Sequence, residues 1–256
     1  MTRFRLKLEY DGGAFQGWQL QSNAPSVQQA LEVAVEDVTG ESIRVHGAGR
    51  TDAGVHALGQ VAHLDTDTKL APEALRKALN AVLPQGVSVL DIAEVDPRFH
   101  ARHDAIGKLY RYRILNRSEP SPLRSAQTWH IRRELDLESM RRAALLLIGD
   151  HDFSAFRGTP GGSPQEETRR TLRKLDIQRR DDEVVVETEG RSFLRYMVRN
   201  IVGTLVEVGQ GRRPVESVAE LLESRDRGRA GPTAPAWGLC LDSVQYPGDA
   251  SGPGPA

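Results

Sequence analysis

The order of predicted strands and helices along this chain indicates an α+β fold made of two ferredoxin-like halves. Alternating strands and capped helices follow one another as β-α-β-β-α-β over residues 1–104. The same order returns over residues 105–246, with additional elements between the main ones. No sequence repeat relates the two stretches, so their similarity lies in element order alone. We therefore expect antiparallel sheets with the helices of each half on one face.

The first half opens with a strand in which apolar and charged residues alternate from Arg3 to Tyr10. Ser26 and Gln29 form a capping box, which predicts the start of a helix, and Gly40 predicts its end. The remaining predicted elements of this half are strands at 42–46 and 59–64, a helix that begins at Pro72 and a strand at 87–95.

The second half begins with a strand from Lys108 to Leu115, in which Tyr110 and Tyr112 share one face. Farther along, Ser192 is predicted to cap a largely apolar helix. The tail, residues 247–256, is rich in glycine and proline and is predicted to be disordered. The predicted elements of this half are strands at 108–115, 129–131, 172–180, 183–189 and 239–244, and helices at 136–147, at 192–208 and from 214.

A glycine-rich loop, Gly47–Ala57, lies between the second and third predicted strands. Its three glycines allow sharp turns and a close approach of a ligand to the backbone, which is typical of a functional loop. Asp52 is the only carboxylate between Glu41 and Asp65, and Arg50 is its nearest charged neighbour. An ionised aspartate in a sheltered cleft can act as a nucleophile or a general base. The alternative is that Asp52 caps a turn and pairs with Arg50.

The bulk composition excludes several kinds of protein. The chain has 34 basic and 35 acidic residues, so its total charge favours no particular partner. Its single cysteine, Cys240, allows no disulfide framework or thiolate metal cluster and fits a reducing, cytoplasmic location. No segment approaches the ~20 apolar residues of a membrane span. His46, His56 and His63 surround Asp52 but match no metal-ligand spacing, and no cofactor motif is present, so neither a metal nor a cofactor is predicted.

Two segments are locally basic. The first basic segment, Arg98–Arg117, holds six Lys or Arg residues against one acid, and the second basic segment, Arg169–Arg180, also holds six against one. Basic side chains interleaved with aromatics such as Tyr110 suit an RNA backbone with stacked bases, whereas a solvated strand face would have the same composition. The basic positions are 98, 102, 108, 111, 113 and 117 in the first segment and 169, 170, 173, 174, 179 and 180 in the second.

The run Gly-Arg-Thr-Asp-Ala-Gly-Val-His-Ala at 49–57 is the most specific of several motifs that lie along nearly the whole chain. Together these motifs resemble those of the TruA family of tRNA pseudouridine synthases. The matches occur in the family order and end at Tyr246. The weaker ones are Tyr10–Gly12, Phe15, Gly17–Gln19, Phe99–Arg102, Lys108–Tyr112, His151–Phe153, Phe193–Arg199 and Ala234–Leu239.

The resemblance implies two ferredoxin-like halves with an active-site cleft between them, and a homodimer. It implies that uridine is isomerised to pseudouridine in the tRNA anticodon stem-loop, at positions 38, 39 and 40. In this pattern Asp52 is the nucleophile, Arg50 and Arg195 are the other catalytic residues, and Tyr110 stacks on the target base. Further contacts with the tRNA come from Arg102, Lys108 and Arg199.

The expected position of Arg195 also has a physical basis. It lies between apolar residues in a segment predicted to be helical, so its charge needs an acid, and we expect it to contact Asp52 directly. Its partner could instead be an acid of its own half, Glu189 or Glu207. Residues 158–165 hold two prolines and three glycines and are expected to form a mobile loop at the rim of the cleft.

Several alternatives stay open at the level of the sequence. Tyr110 could be a core residue, since alternating aromatics in strands usually pack. The whole chain could bind RNA without catalysis, which would require the basic segments but not an isolated aspartate. It could also be a hydrolase that uses Asp52 with a histidine to release a free base.

Overall fold

The computed structural model of the chain describes residues 1–158 and 167–249. Within these ranges ten strands form one sheet, accompanied by five α-helices. The strands are β1 (Thr2–Tyr10), β2 (His46–Gly47), β3 (His56–Thr66), β4 (Val87–Glu94), β5 (Gly107–Asn116), β6 (Trp129–Ile131), β7 (Gly149–Asp152), β8 (Arg169–Arg180), β9 (Glu183–Gly190) and β10 (Leu239–Gln245). The helices are α1 (Val27–Thr39), α2 (Pro72–Val82), α3 (Leu137–Leu145), α4 (Met197–Gly209) and α5 (Ser217–Ser224).

The order of the strands in the sheet repeats between the two halves. The first half reads β4-β1-β3-β2 and the second reads β10-β5-β9-β8, so in both the last strand lies beside the first. Every pairing inside these two sets is antiparallel. The predicted fold class is therefore confirmed, and the strand order is compatible with two ferredoxin-like halves. At the outer end β7 pairs with β8, and β6 is added beside β5.

The strands of the two predicted halves belong to one continuous sheet, which the sequence did not predict. β10 lies between β3 of the first half and β5 of the second. It pairs with β3 in parallel at two positions, Cys240 with His56 and Leu241 with Ala57. β1 pairs with the opposite edge of β3. β2 therefore pairs with the same edge as β10, farther along β3. The glycine-rich loop leaves β2 and enters β3 between these two pairings, so it lies at the junction of the halves. The division at residues 104 and 105 stays a prediction.

Helix α1 begins and ends where the sequence predicts. The Ser26 hydroxyl accepts a hydrogen bond from the Gln29 N–H, and Gly40 ends the helix in a left-handed conformation with φ 72°. Helix α4 begins at Met197, later than predicted. Tyr196, just before it, has φ 61°, and this left-handed conformation separates the preceding residues from the helix.

Three smaller predictions have different outcomes. The strand predicted at 42–46 is reduced to the two residues of β2, since residues 41–45 form no ladder. In the predicted tail, residues 247–249 form a turn in which the Asp249 carboxylate accepts the Tyr246 N–H, and residues 250–256 lie outside the described residues. Residues 159–165 of the predicted rim loop also lie outside them. No helix in the described ranges is long and apolar enough to cross a membrane.

Candidate active site

Hydrogen bonds from several parts of the first half fix the glycine-rich loop. The hydroxyl groups of Tyr10 and Thr51 lie 2.8 Å apart. The Gln60 side-chain amide donates to the Gly49 carbonyl oxygen at 2.9 Å, and the Trp18 N–H donates to the Thr51 carbonyl oxygen at 3.1 Å. Because these partners come from β1, β3 and the turn after β1, the loop has little freedom to move as a whole.

The turn after β1 packs directly on the end of the loop. A Cβ atom on Gly12 would overlap the Val55 carbonyl oxygen, so only glycine fits there. The Gly12 N–H donates to His56 Nδ1 at 3.2 Å, and His56 Nε2 donates to the Ala126 carbonyl oxygen at 3.1 Å. His56 thus holds the loop by hydrogen bonding, and the Tyr10–Gly12 motif accompanies the loop because the two are in contact.

The central contact of the site joins Asp52 of the loop to Arg199 of α4. An Arg199 guanidinium nitrogen lies 3.4 Å from a carboxylate oxygen of Asp52. The Arg199 side chain is 15% exposed and the Asp52 side chain is 23% exposed. Arg199 is itself fixed, because its Nε donates to the Ala234 carbonyl oxygen at 2.7 Å. The ion pair connects the two predicted halves, between the glycine-rich loop and α4.

Two opposing effects act on the pKa of the Asp52 carboxyl. Burial is the larger and raises the pKa above its ordinary value, because the charged form loses water. The nearby Arg199 guanidinium lowers the pKa, by its charge and by its hydrogen bond, and Arg195 lowers it less. The net direction is upwards. Without Arg199, Asp52 would therefore be protonated over a wider range of pH.

The prediction that Arg195 contacts Asp52 is wrong. Arg195 is exposed, and no ion pair of 4.0 Å or less joins the two among the described residues. Its guanidinium lies 4.8 Å from the centre of the Tyr196 ring and donates to the Tyr196 hydroxyl at 3.1 Å. The physical reason is the late start of α4, which places Arg195 on the preceding exposed turn and Arg199 in the first turn of the helix. Any catalytic role of Arg195 stays a prediction.

Arg50 does not pair with Asp52 either. It is exposed, and no carboxylate lies within 4.0 Å of it in the described parts of the chain. The Asp52 carboxylate accepts no hydrogen bond from the N–H groups of its own loop within those parts. The simple alternative, a turn-capping aspartate paired with Arg50, does not describe this site.

Tyr110 lies in the floor of the site on β5. It is 7% exposed and meets the edge of the Phe193 ring at a centroid distance of 5.1 Å. Burial raises the pKa of its hydroxyl, and the charge of Asp52 is among the smaller causes that raise it further. Tyr110 therefore feels the charge of Asp52 and is largely packed, and its predicted role as a stacking platform stays a prediction.

Lys108 lies two residues before Tyr110 on the same face of β5. It is 8% exposed. The pKa of its ammonium is lowered to about 8, mainly by burial and to a smaller extent by the charge of Arg102. A Cβ atom on Gly49 would lie 3.1 Å from Lys108 Nζ, so the ammonium lies directly under the glycine-rich loop. Arg102 is exposed on the segment before β5.

Most side chains of the two basic segments are neutralised by acids that are distant in sequence. In the first basic segment Arg111 pairs with Glu187 and Asp242, and Arg113 pairs with Glu183. Arg98 and Arg117 also have carboxylate partners, whereas Arg102 and Lys108 have none within 4.0 Å in the described residues. In the second basic segment, carboxylates lie within 4.0 Å of residues 169, 173, 174, 179 and 180.

Sequence reasoning named Arg199 as an RNA contact and missed its position beside Asp52. A spacing of four residues puts Arg195 and Arg199 on one helix face, so either could have been chosen. The signal that separates them is the conformation of Tyr196, which a sequence does not display. Thr51 and Gln60 were also missed, although both are polar residues in or beside a glycine-rich loop.

Residues 8–104 and 143–247 match the family described as tRNA pseudouridine synthase. The matched residues are more than half of the chain and include Asp52 and Arg199. The chain belongs to the tRNA pseudouridine synthase family. The resemblance expected from the motifs is therefore confirmed, and the chain is an isomerase of this family.

Relatives within the tRNA pseudouridine synthase family match the chain over nearly its full length. The tRNA pseudouridine synthase A of Methylobacterium nodulans is 51% identical over 250 residues, which cover 96% of this chain and 97% of that protein. That of Rhodospirillum rubrum is 47% identical, covering 100% of this chain and 92% of that protein. Among solved structures, the crystal structure of a Cbf5-Nop10-Gar1 complex matches 80% of this chain and 45% of that chain at 12% identity, with a TM-score of 0.38. So low a structural similarity supports no conclusion.

Proposed function

We propose that this chain converts uridine to pseudouridine in tRNA, within the anticodon stem-loop at positions 38, 39 and 40. Its family membership supports the reaction and the kind of substrate. The observation on which the catalytic assignment rests is the 3.4 Å contact between Asp52 and Arg199 across the junction of the halves. We assign Asp52 as the nucleophile and Arg199 as the residue that keeps it ionised.

The reaction can proceed with the groups of the site alone. The glycosidic C–N bond of uridine breaks, the uracil turns, and C5 forms a bond to C1′ of the ribose. C5 loses a proton and N1 gains one, so the atoms balance without a co-reactant. An ionised Asp52 can hold the intermediate covalently through attack on the base or on the sugar. Its attachment to a fixed loop keeps the carboxylate in place while the base turns.

The tRNA contacts in this proposal come from groups around Asp52. The target base must leave its stack to reach the carboxylate, which calls for an aromatic side chain and nearby cations. Tyr110 supplies the aromatic ring. Arg50, Arg102, Lys108 and Arg195 supply cations, since none of them has a carboxylate within 4.0 Å among the described residues.

A tritium-release assay tests this function. Isomerisation of tRNA labelled with tritium at C5 of uridine releases the label, because C5 exchanges its hydrogen for the new C–C bond. A protein that only binds RNA would release nothing, and a hydrolase would yield free labelled uracil. Transcripts in which positions 38, 39 and 40 are changed to cytidine one at a time locate the target. Release that persists when all three are changed would contradict the proposed positions.

We also propose that the chain acts in the cytoplasm as a homodimer, with residues 1–104 and 105–246 as the halves of each subunit. The family resemblance supports this assembly. Light scattering over a range of protein concentrations measures the mass directly. A mass of one chain at every concentration would contradict it.

A further inference from the structure

Lys108 is a buried cation with no carboxylate within 4.0 Å in the part of the chain that the structure describes. Its cross-strand neighbours are Gly190 on β9 and Val244 on β10, and neither carries a charge. Gly49 of the glycine-rich loop lies above it. The charge of Arg102 acts on the ammonium and repels it. No hydrogen bond or ion pair satisfies Lys108 Nζ among the described residues, although the nitrogen keeps some contact with solvent.

Such an arrangement costs stability. An unpaired charge in a sheltered site loses hydration without compensation, and a second cation nearby adds to the cost. An apolar side chain of similar length would avoid both effects. Groups that are unfavourable in the folded protein are common at functional sites, because a ligand supplies the missing partner. The missing partner here is an anion shared by Lys108 and Arg102.

The position of Lys108 relative to Tyr110 indicates which anion. Residues two apart on one strand point to the same face and lie ~6.7 Å apart. That separation is of the order of the distance between the base and the backbone of a single nucleotide. A uridine that reaches Asp52 beside Tyr110 therefore brings its own backbone over Lys108.

We propose that the Lys108 ammonium, together with Arg102, binds a phosphodiester group adjacent to the target uridine. This inference rests on the proposed function, because it takes the uridine to lie between Asp52 and Tyr110. It makes Lys108 a positioning residue: it fixes the backbone of the extruded nucleotide while Asp52 does the chemistry. The neighbouring Gly49 matters for the same reason, since a Cβ atom there would press on the ammonium at 3.1 Å.

The proposal predicts a pH dependence that most phosphate contacts lack. The free protein holds the pKa of Lys108 at about 8, so the ammonium is fully charged well below that pH and loses its proton above it. Affinity for tRNA should therefore fall as the pH rises through about 8. In Lys108→Arg the fall should disappear, because a guanidinium stays charged throughout this range.

The first experiment compares tRNA binding by the intact protein and three variants. Lys108→Met should bind about tenfold to a hundredfold more weakly, the effect of losing one charge-assisted contact. Its salt dependence, the slope of log K against log salt concentration, should fall by ~0.7–0.9. Lys108→Arg should bind nearly as well as wild type at neutral pH. Lys77→Met, which removes an exposed lysine paired with Glu73 on α2, is the control and should change neither quantity.

The second experiment identifies the phosphate. The target uridine is first mapped with the wild-type protein, so a failure of the proposed function is seen before Lys108 is tested. Two tRNAs then carry a neutral methylphosphonate linkage on the 5′ or the 3′ side of that uridine. One of these tRNAs should bind the wild-type protein more weakly, by the same factor by which Lys108→Met weakens binding of unmodified tRNA. The Lys108→Met variant should bind that modified tRNA as tightly as it binds unmodified tRNA.

Three results would overturn the inference in a protein that makes pseudouridine. One is a Lys108→Met variant that binds tRNA as tightly as wild type. Another is that each neutral linkage weakens tRNA binding by the same factor in the wild-type protein and in the Lys108→Met variant. The third is a Lys108→Met variant with a lowered melting temperature, since removal of an unpaired buried charge should raise it. That third result would assign the lysine to the fold.

Discussion

Replacement of Arg199 with Met should slow the reaction by about tenfold to fortyfold, mainly in kcat. A hydrogen bond to a charged group contributes ~1.5–3 kcal/mol. The exposures of 15% for Arg199 and 23% for Asp52, and the long contact of 3.4 Å, favour the lower part of that range. Because ~1.36 kcal/mol corresponds to a factor of ten in rate, this range gives the stated loss.

The same substitution should also move the acid limb of the pH–rate profile. Asp52 must be ionised to act as a nucleophile, so activity falls as the pH falls through the pKa of its carboxyl. Burial raises that pKa, and the Arg199 guanidinium opposes the rise. In Arg199→Met the opposition is lost, the pKa rises further, and the limb moves to higher pH. Single-turnover tritium release with saturating protein measures this limb without interference from binding.

Arg195→Met is the matched control for this experiment. It makes the same change four residues earlier, at a guanidinium that contacts Tyr196 and contributes least to the pKa of Asp52. We expect a much smaller loss of kcat and little movement of the limb. If Arg195→Met displaces the limb as far as Arg199→Met does, or if neither displaces it, the ion pair between Arg199 and Asp52 does not control the ionisation of Asp52.

The remaining predictions concern the nucleophile, the aromatic floor and the RNA contacts. Asp52→Asn should keep tRNA binding and abolish turnover, and a residual rate within tenfold of wild type would rule out a carboxylate nucleophile. Tyr110→Phe should bind tRNA nearly as well as wild type, whereas Tyr110→Ala should lose ~1–3 kcal/mol of binding; equal activity of the two would make Tyr110 a core residue. Arg102→Gln should weaken binding and reduce its salt slope, whereas Arg113→Gln, whose native guanidinium pairs with Glu183, should do neither. Equal effects of the last two would show that pairing with acids does not decide which basic residues contact RNA.

The elements of the fold could be predicted from the sequence because their signals are local. The alternation in β1 and the capping residues Ser26 and Gly40 act on neighbouring residues, and the structure contains the strand and the helix they predict. The glycine-rich loop was found in the same way. The isolation of Asp52 from other acids is likewise a local feature of the sequence, and the structure places Asp52 beside Arg199 of α4.

The contacts between distant segments could not be predicted in this way. The acids on β9 that pair with Arg111 and Arg113 lie more than 60 residues later, and Asp242, which also pairs with Arg111, lies on β10. They become neighbours only through the strand register. The choice between Arg195 and Arg199 depends on one backbone angle at Tyr196. A count of charges along the sequence therefore overestimated the basic surface, and a helix predicted from composition began too early.

The parallel pairing between β3 and β10 has a consequence for how the protein is made. β3 is complete after residue 66, but its partner begins at Leu239, so the edge of β3 beside the loop stays open while the chain between them is synthesised. An open strand edge can pair with other chains, and domains generally fold in the order in which they leave the ribosome. We therefore expect the first half to fold early. At that stage the carboxylate of Asp52 has not yet formed its ion pair with the Arg199 guanidinium. We expect assembly of the catalytic centre to be a late step of folding, completed when β10 inserts between β3 and β5.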